Sequence, residues 1–194
     1  MSLVSTTTSL RAAVLPRSTA ISNVGLLLGG TLFLSAMAQI AIPVPGSPVP
    51  VTGQTLGVLL LGTAYGATLG LSTFAFYLLM GIAGAPIFAS GSHGISKLTG
   101  ATGGYLVGML LASLVLGALA GRKWDQKIAT VIPTMLIGTA IIFIFGVSWL
   151  HISTGQSWRW AFDKGLTPFI LGEVLKIAIA STALPTLWRF AAKR

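Results

Sequence analysis

Apolar residues run through this chain in long blocks, not at the alternating spacing of half-buried strands. Residues 21–42, 104–120, 128–149 and 168–187 are nearly unbroken apolar runs, close to the roughly 20 residues a helix needs to cross a bilayer. Residues 51–88 form another charge-free block, too long for one such helix and short for two. A break near Thr63-Ala64-Tyr65-Gly66 divides it into a short helix and a second over residues 66–82. Between the first run and this block lies AIPVPGSPVPVTGQTLG, in which Pro43, Pro45, Pro48 and Pro50 rule out a helix. Each proline also pushes its predecessor toward extended geometry, so an extended strip leads into Gln54 at the mouth of the next helix.

Composition fixes the class. The chain has 194 residues, 54% hydrophobic and 8% charged, where soluble domains carry about 25% charged residues. Its mean hydropathy is +0.88. No Asp, Glu, Lys or Arg occurs between Arg17 and Lys97. The expectation is an all-α integral membrane protein in a single membrane domain over residues 21–190, between tails at residues 1–20 and 191–194. The Ser/Thr-rich first twenty residues, with Arg11 and Arg17 and no acid, suit a polar cytoplasmic tail and equally an organellar transit peptide.

The net charge of +9 does not point to nucleic acid, because the basic residues sit at segment ends and form no face. With six crossings and both termini inside, Arg11, Arg17, Arg122, Lys123, Lys127, Arg189, Lys193 and Arg194 lie on the inner side. Only Lys97, Arg159 and Lys164 then lie outside. Five crossings erase that bias, so positive charge selects six helices with cytoplasmic termini. The expected location is a cell inner (plasma) membrane. The same topology gathers three elaborate segments on the outer face: the proline strip, GAPIFASGSHGISKLTGATGG and HISTGQSWRWAFDKGLT. Irregular backbone at membrane depth is tolerated where it is buried or lines a cavity, so these segments read as walls of a ligand site. Small-residue pairs at four-residue spacing, Gly25-Gly29, Gly66-Gly70, Gly104-Gly108 and Gly117-Gly121, suit close helix packing or a docked partner, and Pro133 is expected to kink its helix.

Glu173 and Lys176 are the charged residues that fall well inside a span, in TPFILGEVLKIAIA. Thr167-Pro168 reads as a helix start, which puts the pair in the second and third turns, three residues apart on one face. Each would cost about 2.5 to 3.5 kcal/mol at the bilayer centre, so they face a protected interior, as a neutralising structural pair or as opposite charges offered to a polar ligand. Catalysis has little to stand on. The chain has no phosphate-binding glycine loop ending in Lys-Ser or Lys-Thr, no His-Glu-x-x-His motif and no cysteine. No serine stands three residues before a lysine, and His93 and His151 lie far apart in loops. No enzyme, metal or cofactor is therefore expected.

The blocks IPVPGSPVPVTGQTLGVLLLG, YLLMGIAGAPIFASGSHGISKLTGATGGYLVG and GLTPFILGEVLKIAIA resemble the signature blocks of the BioY family, the biotin-specific substrate-capture (S) components of energy-coupling-factor (ECF) vitamin transporters. The likeness runs over about residues 32–180 in three ordered blocks. It implies a six-helix protein that binds biotin from outside, with a transmembrane coupling subunit and two ATP-hydrolysing subunits as partners. A solitary biotin carrier, or a capture component for another small vitamin, is the competing reading. The resemblance maps Gln54 onto the glutamine after the proline strip, and Glu173 and Lys176 onto the acid and lysine of the last helix. The family commonly has Asp where this chain has Glu173. On this reading Glu173 suits the ureido N–H groups, and Lys176 and Gln54 the ureido carbonyl. Tyr77, Phe88 and Tyr105 suit the apolar part of biotin, and His93 or Lys97 its valerate carboxylate.

Overall fold

The computed structural model describes residues 9–15, 17 and 19–192. Residues 1–8 and 193–194, parts of the expected tails, lie outside the described residues. Within the N-terminal tail, Ser9 caps a short helix, α1 (Leu10–Val14), whose Leu10 is buried. Thr19 and Ser22 close a reciprocal capping box at the start of α2 (Ala20–Gln39).

The proline strip is not one extended wall but a hairpin. Its ends pair as β1 (Ala41–Ile42) and β2 (Val51–Thr52), antiparallel, with Ala41 opposite Thr52. The bend is a Val44-Pro45-Gly46-Ser47 turn closed by Ser47 N–H donating to Val44 O at 3.0 Å. Pro45 presets the second position, and Gly46, at φ 73°, supplies the positive angle the third position requires.

The charge-free block breaks at Gly66, where a φ of 81° ends α3 (Gln54–Tyr65) and begins α4 (Ala67–Ile82). A loop with a 3₁₀ turn at Ala89–Gly91 and the single-turn α5 (Ser96–Thr99) then lead into α6 (Gly103–Ala120) and α7 (Ile128–Thr154). The segment HISTGQSWRWAFDKGLT after the 128–149 run is largely helical, contrary to its reading as a loop. α7 extends to Thr154 and ends on Gly155 in the left-handed conformation, and Ser157 caps α8 (Trp158–Gly165). α7 continues through Pro133 as one helix. Thr167 does not cap the last helix; its hydroxyl donates to Phe162 O, and residues Thr167–Phe169 form a 3₁₀ turn. α9 (Ile170–Ala191) therefore starts later than expected and holds Glu173 in its first turn.

α2, α6, α7 and the helical stretch Trp158–Ala191 are long and apolar enough to cross a membrane, and α4 is a shorter apolar helix. α6 is the central post, packed against α3, α4 and α7. Its glycines explain the fit. A Cβ on Gly104 would meet Trp149 Cβ at 2.2 Å, one on Gly108 would meet Ile142 Cα at 2.9 Å, and one on Gly117 would meet Ala67 N at 2.2 Å. Without a hydrophobic driving force between helices in lipid, such close backbone approach is what holds them. Gly25 and Gly29 differ: among the described residues no atom lies within 4 Å of where their Cβ would stand.

Opposite the hairpin, the α6–α7 connection is pinned by Asp125, fully buried, whose Oδ2 accepts from Trp188 Nε1 of α9 at 2.6 Å. Its Oδ1 is buried without a hydrogen bond. Burial pushes the carboxyl above its ordinary value, and the Trp188 hydrogen bond only partly offsets this. An acid raised in the folded state contributes stability below its unfolded pKa and loses it as pH rises through the folded one. Asp125→Asn should therefore have a higher thermal midpoint in detergent than the parent at pH 7.5. That gap should close as pH falls toward the ordinary Asp value of about 3.9. Identical midpoints across this range would show that the buried charge costs nothing.

Candidate ligand-binding site

The hairpin, the loop after α4, α5 and the first turns of α3, α6 and α9 enclose a cavity of about 320 Å³. That is near the lower end of the roughly 300–1,000 Å³ typical of small-molecule sites. Pro48, Val49 and Pro50 form one wall and Phe88 to Ser90 another. Prolines suit a wall because their φ is already fixed, so little order remains to be imposed when a ligand arrives. The opposite wall is tied to α2 by Gln39, whose Nε2 donates to Phe88 O at 3.2 Å and whose Oε1 accepts from Gly91 N at 2.9 Å. Phe88 packs over Gly81, where any Cβ would strike its ring at 2.2 Å.

The polar end is a buried triad. Lys176 Nζ donates to Glu173 Oε1 at 2.7 Å and to Thr55 Oγ1 at 2.8 Å, and Thr55 Oγ1 donates to Glu173 Oε1 at 2.8 Å. Glu173 and Lys176 are 4% and 9% exposed, which makes this a desolvated ion pair and not a surface one. The late start of α9 helps, since a carboxylate in a first turn meets the positive end of the helix dipole. Glu173 Oε2 is buried and makes no hydrogen bond. Lys97, half-buried on α5, adds an ammonium with no acid beside it among the described lining residues, so the lining carries a net positive charge.

The apolar end is an aromatic cluster. Tyr105 stacks on Phe169 with centroids 6.2 Å apart, and Phe143 meets the two edge-on at 5.9 and 5.7 Å. The Tyr105 hydroxyl donates to Gly165 O at 2.7 Å, which secures α8 over the site.

Of the residues singled out in the sequence, Gln54, Phe88, Lys97, Tyr105, Glu173 and Lys176 line this one cavity. Tyr77 stands behind it, fully buried: its hydroxyl accepts from Gln54 Nε2 at 2.8 Å and donates to Ile87 O at 2.9 Å. It orients Gln54 and the loop without facing the cavity. His93 is exposed and outside the lining. Sequence reasoning missed Thr55, Met109, Phe143 and Phe169. Met109 was accessible in principle, since it follows Tyr105 by one helical turn. Phe143 and Phe169 carry no local mark, because aromatic residues in apolar runs are ordinary.

Comparisons with known proteins agree with one another. The BioY family model matches residues 7–193. The chain is 33% identical over 168 residues to the biotin transporter BioY2 of Lactococcus lactis subsp. cremoris, covering 85% of this chain and 89% of that protein. It is 34% identical over 140 residues to the biotin transporter BioY of Thermotoga maritima, covering 72% and 81%. In fold it is similar to the crystal structure of an S-component for biotin from an ECF-type ABC transporter, with a TM-score of 0.78 and 22% identity over 89% of this chain and 95% of that one. A multi-pass membrane protein built on the S-component fold, this chain belongs to the BioY family.

Proposed function

We propose that the chain is the biotin-capturing membrane subunit of an ECF-type importer, and that the cavity beneath the proline hairpin is its biotin site. The observation that carries this reading is the match between the polar end of the cavity and a ureido ring. Such a ring offers two N–H donors and one carbonyl. Glu173 Oε2 is a buried acceptor in want of a donor, and Lys176 Nζ, with two of its three hydrogens engaged, retains one for a carbonyl. Gln54 lines the cavity beside them. The aromatic cluster of Tyr105, Phe143 and Phe169 suits the bicyclic and aliphatic part of biotin, and Lys97 suits the valerate carboxylate. The named relatives are biotin transporters, which favours biotin over another small vitamin.

In this reading α3 and α4 are two short crossings that complete a six-helix domain, with the cavity on the outer side and both termini cytoplasmic. The excess of basic residues at the opposite end supports that orientation. Capture alone is not concentrative uptake. A transmembrane coupling subunit and two ATPase subunits supply the drive, and the unpacked small-residue face of α2 at Gly25 and Gly29 is where the coupling subunit docks. Labelled-biotin accumulation in cells carrying this chain should collapse when the coupling ATPases are deleted. Undiminished accumulation would establish a solitary carrier instead.

The buried pair provides the test of the site. Glu173→Gln and Lys176→Met should each weaken biotin binding by roughly ten- to a hundredfold, the scale of one charge-assisted hydrogen bond of about 1.5–3 kcal/mol. The double variant should not recover. A pair that serves only to neutralise itself gives the opposite pattern, because each single variant strands a charge and the double variant does not. Calorimetry in detergent, with gel filtration confirming the folded state, separates the two. Near-parental affinity in the double variant would move the site away from α9.

A further inference from the structure

We propose that Thr55 is a positioning and specificity-determining residue: its hydroxyl fixes the Glu173 carboxylate so that one oxygen is spent on the protein and the other is reserved for a ligand N–H. This rests on the reading above that Glu173 meets the ureido donors.

Most helical threonines in this chain satisfy the hydroxyl on their own helix, whereas those of Thr73 and Thr139 are buried without a hydrogen bond among the described residues. The hydroxyls of Thr31, Thr63, Thr134, Thr154, Thr182 and Thr186 each donate to the carbonyl four residues back. This is the usual resting place for a threonine hydroxyl in an apolar helix, because it satisfies the donor locally. Thr55 cannot do the same. It is the second residue of α3, and the residue four before it, Val51, belongs to β2. The strand-to-helix corner that ends the proline hairpin therefore releases one hydroxyl from its own backbone, at the place where α3 meets α9.

That hydroxyl is buried and serves as both donor and acceptor. It donates to Glu173 Oε1 and accepts from Lys176 Nζ, both at 2.8 Å. Together with the 2.7 Å Lys176–Glu173 contact, the three polar atoms form a closed ring of hydrogen bonds. The consequence is an asymmetric carboxylate. Oε1 takes two donors, whereas Oε2, equally buried, takes none. A lysine ammonium facing an unrestrained carboxylate can reach either oxygen, and the Glu side chain has three torsions through which to turn. With Thr55 in place, Lys176 is held between the hydroxyl and Oε1, away from Oε2. The protein thus maintains a buried acceptor of high hydrogen-bonding demand, which favours ligands that bring a donor and penalises isosteres that bring none.

Removing the hydroxyl while keeping the branched shape, as in Thr55→Val, should free the carboxylate to engage Lys176 with both oxygens. The test is calorimetry in detergent on the whole protein, with biotin and with its cyclic-carbonate isostere, whose ring oxygens replace both N–H groups. T55V should weaken biotin by about tenfold, the scale of one buried hydrogen bond to a charged group, yet change the isostere by less than about twofold. T55S, which restores the hydroxyl, should bind biotin within about threefold of the parent. T55V added to E173Q should cost nothing beyond E173Q alone, because the hydroxyl acts through that carboxylate. T55A removes the same hydroxyl without the branched bulk and should discriminate between the two ligands as T55V does. Parental biotin affinity in T55V and T55A, alongside a loss in E173Q, would overturn the role of Thr55 and leave the site intact. Equal losses for biotin and the isostere, or failure of T55S to rescue, would reduce Thr55 to packing and overturn the proposal. An E173Q variant that binds biotin normally would instead overturn the reading beneath it.

Discussion

A carboxylate and an ammonium buried in one membrane helix impose conditions that much of the fold is arranged to meet. Glu173 and Lys176 cannot face lipid at a tolerable cost, so α9 must turn them inward and another element must supply polar partners there. α3 does so. Its first turn brings Thr55 between the two charges and Gln54 into the same cavity lining, and it is aimed there by the β1–β2 hairpin, from which only Gly53 separates it. The prolines of that hairpin and the strand pairing at its base leave the corner little freedom. The buried pair and the stiff strip are thus two parts of one arrangement.

Above this polar end, the walls are held by contacts that reach well beyond the cavity. Tyr77 ties Gln54 to the loop after α4, Gln39 ties that loop to α2, and Tyr105 ties α6 to the end of α8. α6 is the frame against which these contacts are made, and its glycines permit backbone approaches that an alanine would forbid. Packing of this kind gives a site preorganised for a small rigid ligand, with its entropy of ordering met in folding and not in binding. The face of α2 at Gly25 and Gly29 contrasts with α6 in having nothing packed on it among the described residues, which is why docking is assigned there in the proposed assembly.

Much of this was legible in the sequence, for specific physical reasons. The apolar runs gave helix positions to within a few residues, and Gly66 stood out as a break because an uninterrupted 51–88 block fits no membrane helix. Charge in an uncharged segment made Glu173 and Lys176 conspicuous. Proline density marked the hairpin but not its fold-back, which depends on Gly46 adopting a positive φ and on the pairing of Ala41 with Thr52 and Ile42 with Val51. α8 escaped because an amphipathic helix of eight residues, Trp158–Gly165, reads as a polar loop beside runs of twenty. Thr55 escaped because its role comes from a neighbour 118 positions away, and a threonine beside a glutamine has no pattern of its own. His93 drew notice as the histidine of a signature loop, although its side chain is exposed outside the cavity.

In the proposed site Glu173 on α9 holds the donor end of biotin, and a crystal structure of this chain with biotin bound is the decisive measurement. A ureido nitrogen is expected within about 3.2 Å of Glu173 Oε2, with Thr55 and Lys176 still on Oε1. A complex in which the valerate carboxylate sits on Lys176 and the ureido ring lies toward Lys97 would contradict it.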